Sequence, residues 1–274
     1  MTLEEIFEKA SGRMPMVPKV VQELLASFDR SGTNVDAIVE QVSHDPVLSA
    51  KVLRLANSAR VSGGHPVKSI DDAVLRLGFD QLRLLVVSSG MSSMNVDSPT
   101  FKRKEFWLRS FKTGNVARWA GKLAKLDTST AYTCGLLHNI GELLIHIAAP
   151  AEMEKVDRMV VAGTDRAQVE NMVLGVDLAM VGGELARRWQ FPMEIQRAIA
   201  QHQNPAAYEE FEPYSGVVAL ANLLIAQFDA KLDDADIATL LPARLLDKLG
   251  IDAATMVTGL PDARAACEGL EELL

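Results

Sequence analysis

The residue types best suited to chemistry lie in one short segment near the middle of the chain, Thr133–Leu144. Cys134 and His138 are four residues apart, which places them on one helix face and would allow a thiolate–imidazole pair. His138, Glu142 and His146 continue the same spacing as a row of possible metal ligands. A straight helix spreads these three over about 12 Å, too far for all of them to bind one ion. For Cys134 we expect a packed thiol, since free cysteine usually behaves as a small hydrophobe.

Helices are the elements expected to position these side chains. Thr2 and Glu5 form a capping box at the start of the chain. Ser69 is expected to cap a helix that runs through Leu77, and Gly78 is expected to end it. The sequence has no alternating strand pattern. It therefore predicts an all-α fold, a compact multi-helix bundle.

The turn-rich segment Asn95–Pro99 is the best internal boundary. We expect an N-terminal helical lobe at 1–98, a second helical lobe at 99–228 and a C-terminal helical extension at 229–274. The amphipathic end, Pro261–Leu274, either docks on its own lobe, which is the simpler expectation, or contacts a partner. After residue 98 the helices are expected near 101–125, 129–148, 151–162, 165–174, 178–189, 193–202, 215–228 and 242–249.

Composition excludes several classes of protein. The chain has 274 residues, 48% of them apolar, and a net charge of −8, which argues against a nucleic-acid binder. Its N-terminus lacks the pattern of a signal peptide. Its most apolar stretch, Ser215–Phe228, is shorter than the roughly 20 residues that cross a bilayer. Two cysteines suit a reducing compartment. We expect a cytoplasmic protein without a membrane partner.

Two segments carry a resemblance to a known family. GLLHNIG at 135–141 resembles the GLLHDIGK signature of the HD-superfamily metal-dependent phosphohydrolases. DPVLSAKVLRLANSA at 45–59, with residues 70–78, resembles the N-terminal half of the HDOD family. HDOD domains are bacterial signalling relatives of those enzymes, which include the HD-GYP cyclic-di-GMP phosphodiesterases. The likeness covers about residues 14–228 and implies an HD-like bundle in two helical lobes.

The resemblance also identifies the positions that would hold metal. An HD site needs His and Asp ligands from separate helices and an open position for water. Only His138 and His202 keep a ligand type at their matched positions. The other matched positions hold Arg109, Asn139, Leu178, Gln201 and Asn222. The resemblance therefore implies no catalytic residue, no bound metal and no other cofactor. It implies a degenerate site of Arg109, His138, Asn139 and His202 that could bind an anion.

A helical wheel predicts the direction of the Arg109 side chain without reference to the family. On 101–125, at about 100° per residue, Arg109 falls in the apolar stripe with Phe106, Val116 and Ala120. An unpaired buried charge costs about 3–5 kcal/mol. Arg109 is therefore expected to face inward and to require a carboxylate, several carbonyls or a bound anion. Our hypothesis is that its charge occupies the space and the electrostatic role of the lost metal.

These features favour a non-catalytic signalling module that acts through protein–protein or small-ligand binding. The resemblance implies receiver, cyclic-di-nucleotide or kinase systems as partners. The alternative is a residual metal-dependent phosphohydrolase acting on a nucleotide or cyclic dinucleotide. That alternative requires metal ligands outside the matched positions, for instance Glu142, Asp177 or Glu184.

Overall fold

The computed structural model describes residues 1–11, 67–78, 96 and 98–270, together with 39, 49, 52, 53 and 55–57. Within these residues the regular secondary structure is helical, without strands, as the sequence predicts. In the same residues no helix has the length and apolar character needed to cross a membrane. The chain divides into two compact units, one formed by Met1–Gly12 with Val96–Glu272 and the other by Arg13–Asn95. The expected boundaries at residues 98 and 228 stay predictions.

The larger unit is built from α-helices joined by short turns. A single turn of 3₁₀-helix, Pro205–Ala207, follows the eighth of them. Its described helices are α1 (Leu3–Ala10), α2 (Arg103–Leu123), α3 (Thr128–Leu137), α4 (Ile140–Ala148), α5 (Pro150–Val161), α6 (Arg166–Leu174), α7 (Leu178–Arg188), α8 (Met193–Gln201), α9 (Pro213–Asp229), α10 (Asp234–Leu240), α11 (Ala243–Leu249), α12 (Ala253–Thr258) and α13 (Leu260–Ala265).

Side-chain caps fix where many of these helices begin. Thr2 and Glu5 form the predicted capping box at α1, which is confirmed. An aspartate side chain accepts a backbone N–H at the start of five later helices and satisfies a donor that has no partner within the helix. These residues are Asp127 at α3, Asp165 at α6, Asp177 at α7, Asp233 at α10 and Asp252 at α12.

The long helix α2 packs against α3 and α9, and α7 packs against α4 and α8. These contacts bury apolar side chains from each helix, among them Phe111, Leu185 and Leu220. Helix α4, which carries most of the histidine-containing segment 138–146, packs against α7, α1 and α5.

Helix α1 belongs to the same unit although it is distant in sequence. Ile6 is fully buried and Phe7 is 3% exposed. The carboxylate of Glu4 accepts a hydrogen bond from Arg188 at 2.8 Å, and the Arg188 guanidinium lies 3.9 Å from the centre of the Phe7 ring. The first turns of the chain thus help to hold α7 in place.

The C-terminal segment docks on the larger unit as far as Leu270. Asn115 of α2 donates a hydrogen bond to the carbonyl of Ala266 at 2.9 Å. Leu260, Ala263 and Leu270 are buried. The expectation of self-docking is confirmed for these residues, and residues 271–274 lie outside the described part.

In the smaller unit the structure describes the helix at 70–78 and a hydrogen-bonded clamp that precedes it. Asn57 donates to the carbonyl of Val67 at 2.9 Å and accepts from its N–H at 2.8 Å. Ser69 accepts the N–H of Asp72 at 3.1 Å, so its predicted cap is confirmed. Gly78 has a φ of +71°, as expected of a glycine that ends a helix. Most of segment 45–59 lies outside the described residues.

Candidate functional site

The helix predicted at 129–148 is wrong in one respect, because it is divided at His138 and Asn139. α3 ends at Leu137 and α4 begins at Ile140. The cause is the close approach of α7. A Cβ atom at Gly141 would lie against the carbonyl oxygen of Leu178 and 2.6 Å from the backbone nitrogen of Gly182. The chain turns at His138 and Asn139, and this turn lets Gly141 fit into the contact with α7.

His138 is held at this break as a neutral imidazole. Its Nδ1 lies 2.7 Å from the carbonyl oxygen of Gly135, and because a carbonyl only accepts, Nδ1 carries the proton. Nε2 is consequently an acceptor, and it is buried without a hydrogen-bond partner in the described residues. Burial lowers the pKa of His138 well below its ordinary value, and the charges of His202 and Arg109 lower it further.

His202 has the same arrangement and lies beside it. Its Nδ1 donates to the carbonyl of Ile199 at 2.7 Å. The ring centres of His138 and His202 are 5.2 Å apart, with the ring planes at 88°. Burial lowers the pKa of His202 to about 4, and the positive charge of Arg109 also lowers it, whereas Asp177 raises it. The structure therefore brings together the two histidines that the sequence singled out.

An open cavity of about 660 Å³ lies next to this histidine pair. Arg109, Asn139 and His202 line it, and so does Asn222. The cavity is also bounded by residues from α4, α6 and α7 and from the turn after α8, which include Glu142, Asp165, Arg166, Asp177, Leu178, Asn204 and Tyr208. Sequence reasoning did not select Asp165, Arg166 or Tyr208, which carry no motif of their own.

Arg109 does not face inward as the helical wheel predicted. Its neighbours Phe106 and Ser110 are buried, but the Arg109 side chain is exposed, because a water-accessible cavity rather than a packed helix lies opposite this position. Among the described residues its guanidinium has no ion-pair or hydrogen-bond partner. The requirement for a buried partner, which rested on inward burial, is therefore wrong. Arg109 still lies close enough to lower the pKa of both histidines.

The two amides at the positions where the resemblance implies carboxylates differ in their surroundings. Asn139 is 4% exposed, and its Nδ2 donor is buried with no partner in the described residues. Asn222 accepts a hydrogen bond from Thr113 through Oδ1 at 3.1 Å. An unpaired buried donor is costly and points to a bound group or water that the site is built to hold.

A second polar cluster adjoins the cavity, and the sequence analysis did not identify it. Arg166 contacts Asp157 at 2.9 Å, Glu170 at 3.3 Å and Glu142 at 3.4 Å. These carboxylates come from α5, α6 and α4. The spacing of Arg166 and Glu170 (i, i+4) was the one local signal for the cluster. The guanidinium of Arg166 is thus neutralised by its own wall.

Glu170 links this cluster to the start of α7. It is completely buried, and it accepts the N–H of Leu178, the first residue of α7, at 2.8 Å. Burial raises the pKa of Glu170 to about 7. The carboxyl group therefore titrates close to neutral pH while it anchors a helix that lines the cavity.

His146 lies at the inner edge of the cluster. Its Nδ1 is 2.8 Å from the hydroxyl oxygen of Ser98, and its Nε2 is 3.6 Å from Asp157. Burial lowers the pKa of His146 to about 4. Within the described chain, the possible ligand atoms of Glu142, His146 and Asp157 lie within 4.8 Å of one another. The carboxylates of Glu142 and Asp157 already pair with Arg166. The guanidinium of Arg166 therefore supplies positive charge where a metal ion would otherwise bind.

Cys134 is fully buried, and burial, followed by the charges of Glu212 and Glu194, raises the pKa of its thiol well above the ordinary value. A raised thiol pKa disfavours the nucleophilic thiolate. The expectation of a packed thiol is confirmed.

Comparison with known proteins identifies the family. The profile of the HDOD domain matches residues 14–205. A protein of Treponema pallidum (strain Nichols), described as uncharacterized, is 30% identical over 224 residues, which are 80% of this chain and 43% of that protein. This chain therefore spans less than half the length of that relative.

Solved structures agree with the family match. A Shewanella amazonensis SB2B protein described as a "putative phosphohydrolase" is 33% identical, with a TM-score of 0.79 over 98% of each chain. An HDOD domain protein with unknown function from Geobacter sulfurreducens is 26% identical, with a TM-score of 0.78 over 98% of this chain and 97% of that one. Because the family profile covers well over half of the sequence, the chain belongs to the HDOD domain family.

Proposed function

We propose that the chain is a non-catalytic signalling module whose degenerate HD site binds a small ligand that carries an anionic group. The observation that carries this proposal is the free guanidinium of Arg109 in the same cavity as the unpaired amide donor of Asn139. Both groups donate hydrogen bonds, and a guanidinium presents its donors in a fork that matches a carboxylate or phosphate.

The residues at the matched positions do not fit the metal centre of an HD phosphohydrolase. His138 and His202 have free Nε2 atoms, but Asn139 and Asn222 replace the carboxylates that would supply negative charge. Hard divalent ions favour anionic oxygen ligands. The charge of Arg109, which already disfavours a proton on either histidine, disfavours a second cation in the same way.

A residual phosphohydrolase is the competing proposal, and the ligand-ready tautomers of the two histidines favour it. It needs carboxylates from elsewhere. Glu142 and Asp177 line the cavity, but Glu142 contacts Arg166 and Asp177 caps α7. Glu184 pairs with Arg187 at 2.7 Å and with Arg188 at 2.8 Å instead.

Enzyme assays with added metal separate the two proposals. Purified protein is incubated with Mn²⁺, Fe²⁺ or Mg²⁺ and with cyclic-di-GMP, ppGpp or a generic phosphodiester, and metal content is measured by elemental analysis. We expect no stoichiometric metal and no turnover. Turnover that disappears in His138→Ala would establish the phosphohydrolase.

Ligand binding is tested separately by thermal unfolding with inorganic phosphate, simple carboxylates and a nucleotide panel. A ligand at 100 times its Kd adds about 2.7 kcal/mol to the free energy of unfolding. We expect stabilisation that Arg109→Gln removes and that Lys104→Gln, at an exposed position of the same helix, retains. No stabilisation by any anion would contradict the proposal.

Signalling proteins of receiver, cyclic-di-nucleotide or kinase systems are the proposed partners, on the resemblance alone. Affinity purification of the tagged protein from its native cell, followed by mass spectrometry, tests this part. Recovery of only metabolic enzymes or chaperones would contradict it.

A further inference from the structure

The walls of the cavity carry unpaired charges of both signs. Among the described residues, Arg109 has no ion-pair partner. The same holds for two carboxylates of the cavity wall, Asp165 and Asp177. Asp165 accepts the N–H of Gln168 at 3.0 Å, and Asp177 accepts that of Met180 at 2.8 Å. The second oxygen of Asp177 accepts a hydrogen bond from Nδ2 of Asn171 at 3.2 Å. These donors are neutral, so the negative charge of each carboxylate stays uncompensated.

The positive charge of Arg166 is compensated by carboxylates of its own cluster. Arg166 contacts Glu142 as well as Asp157 and Glu170. It therefore offers little attraction for an anionic ligand, whereas three carboxylates around one guanidinium leave this cluster with excess negative charge. The charged groups of the cavity wall that have no ion-pair partner among the described residues are the guanidinium of Arg109 and the carboxylates of Asp177 and Asp165.

His202 lies within range of both kinds of charge. Arg109 lowers the pKa of His202 and Asp177 raises it, so the two opposite charges act on one imidazole. Because Nδ1 of His202 donates to Ile199, its Nε2 remains an acceptor on a side chain that lines the cavity. An acceptor in a cavity that also carries a carboxylate favours a ligand that donates hydrogen bonds, which a simple carboxylate anion does not provide.

Asn139 is an independent sign that a ligand group belongs in this cavity. It is 4% exposed and lines the cavity, and its Nδ2 has no partner in the described chain. This donor cannot be satisfied by an ammonium group, but a carboxylate oxygen satisfies it. The site therefore combines donors for an anion with acceptors for a cation.

We infer that the ligand is an amino carboxylic acid in its zwitterionic form, with its carboxylate bound by Arg109 and Asn139 and its ammonium bound by Asp177 and Nε2 of His202. Asp165 adds a further negative charge to the cavity wall. A cavity of about 660 Å³ accommodates a free amino acid or a dipeptide. The inference rests on the proposed function for the anionic end of the ligand. It adds the binding of the ligand's cationic end.

The test compares each zwitterion with derivatives that lack one charge. Calorimetric titration with the common amino acids and with simple dipeptides identifies the tightest zwitterion. Its N-acetyl derivative lacks the ammonium and its amide lacks the carboxylate. We expect each derivative to bind at least tenfold more weakly than the parent compound.

Two variants test which residues bind the carboxylate and the ammonium of the zwitterion. Arg109→Gln is expected to abolish binding of the zwitterion. Asp177→Asn is expected to reduce its affinity toward that of the N-acetyl derivative, since asparagine still caps α7 but has no charge. The matched control is Asp252→Asn, which changes an equivalent cap at α12 outside the cavity and is expected to bind like the wild type.

The outcomes distinguish this inference from the proposed function. If the N-acetyl derivative or inorganic phosphate binds as tightly as every zwitterion, the ligand is a simple anion and the inference is wrong, while the proposed function stands. If no zwitterion, carboxylate, phosphate or nucleotide binds, both are wrong.

Discussion

At the scale of single residues, the carbonyls of Gly135 and Ile199 fix the tautomers of His138 and His202. Each accepts the Nδ1–H of a histidine, at 2.7 Å in both cases. The Nε2 atoms of His138 and His202 are therefore hydrogen-bond acceptors whenever the two imidazole rings are neutral. A metal site uses the same orientation of histidine. The two histidines have this orientation in a site whose matched positions also hold Asn139 and Asn222.

Glu170→Gln is expected to change how stability depends on pH. The pKa of Glu170 is raised from 4.5 to about 7, so the folded protein binds this proton more tightly than the unfolded chain. Its contribution to the free energy of unfolding is complete below pH 4.5 and falls as the pH rises toward and beyond 7. The stability of the wild type relative to the variant is expected to fall by about 3 kcal/mol across this window.

Denaturant unfolding of both proteins between pH 4.5 and 8 measures this difference. Glutamine retains an acceptor for the N–H of Leu178, so the comparison isolates the titrating group. Glu209→Gln, at an exposed position, is the control and is expected to show no such trend. A wild-type–variant difference that stays constant with pH would refute the assignment to Glu170.

At this scale the sequence could predict three residues that line the cavity but not their environment, whereas His138, which was predicted with them, is fully buried and does not line it. The positions of Arg109, Asn139 and His202 follow from motif order, and all three line one cavity. The exposure of Arg109 could not be predicted, because a helical wheel gives the direction of a side chain and not what lies opposite it. Arg166 was missed because two of its three carboxylate partners come from other helices.

At the scale of helices, the junction between α4 and α7 sets the shape of the site. Gly141 lies against the backbone of α7 at Leu178 and Gly182. This contact accounts for the break at His138 and Asn139, which no proline or adjacent glycine marks in the sequence. Local signals predicted a continuous helix, and a long-range contact overrode them.

Gly141→Ala is expected to destabilise the protein by about 3 kcal/mol, because the new methyl group meets backbone atoms that cannot move independently. Denaturant unfolding measures the loss. Gly163→Ala is the matched control: Gly163 has a φ of +98° but no atom within 4 Å of its added Cβ. Its backbone strain is expected to cost only about 1 kcal/mol. Equal losses in the two variants would contradict the proposed clash.

At the scale of the whole chain, α1 belongs to the unit that contains the cavity, although residues 13–95 separate it in sequence from the rest of that unit. The capping box of Thr2 and Glu5 predicted its existence and where it begins. They could not predict its packing, because the amphipathic pattern of Leu3–Ala10 fits any apolar surface.

Phe7→Ala is expected to lower the free energy of unfolding of this unit by about 3 kcal/mol or more, through loss of a buried ring and of its contact with Arg188. Val161→Ala is the control, since Val161 is 89% exposed and its truncation is expected to change stability by less than about 0.5 kcal/mol. Urea unfolding followed by circular dichroism compares the two variants. A Phe7→Ala variant as stable as the control would show that α1 does not support the unit.

The hydrogen bond between Glu170 and the first N–H of α7 has a consequence for the heat of ligand binding. Leu178 is both the residue that Glu170 anchors and a wall of the cavity. A ligand that displaces this end of α7 changes the proton affinity of a carboxyl group whose pKa is about 7. Near neutral pH, such binding takes up or releases a fraction of a proton. The calorimetric enthalpy then depends on the ionisation enthalpy of the buffer, and the slope gives the number of protons exchanged.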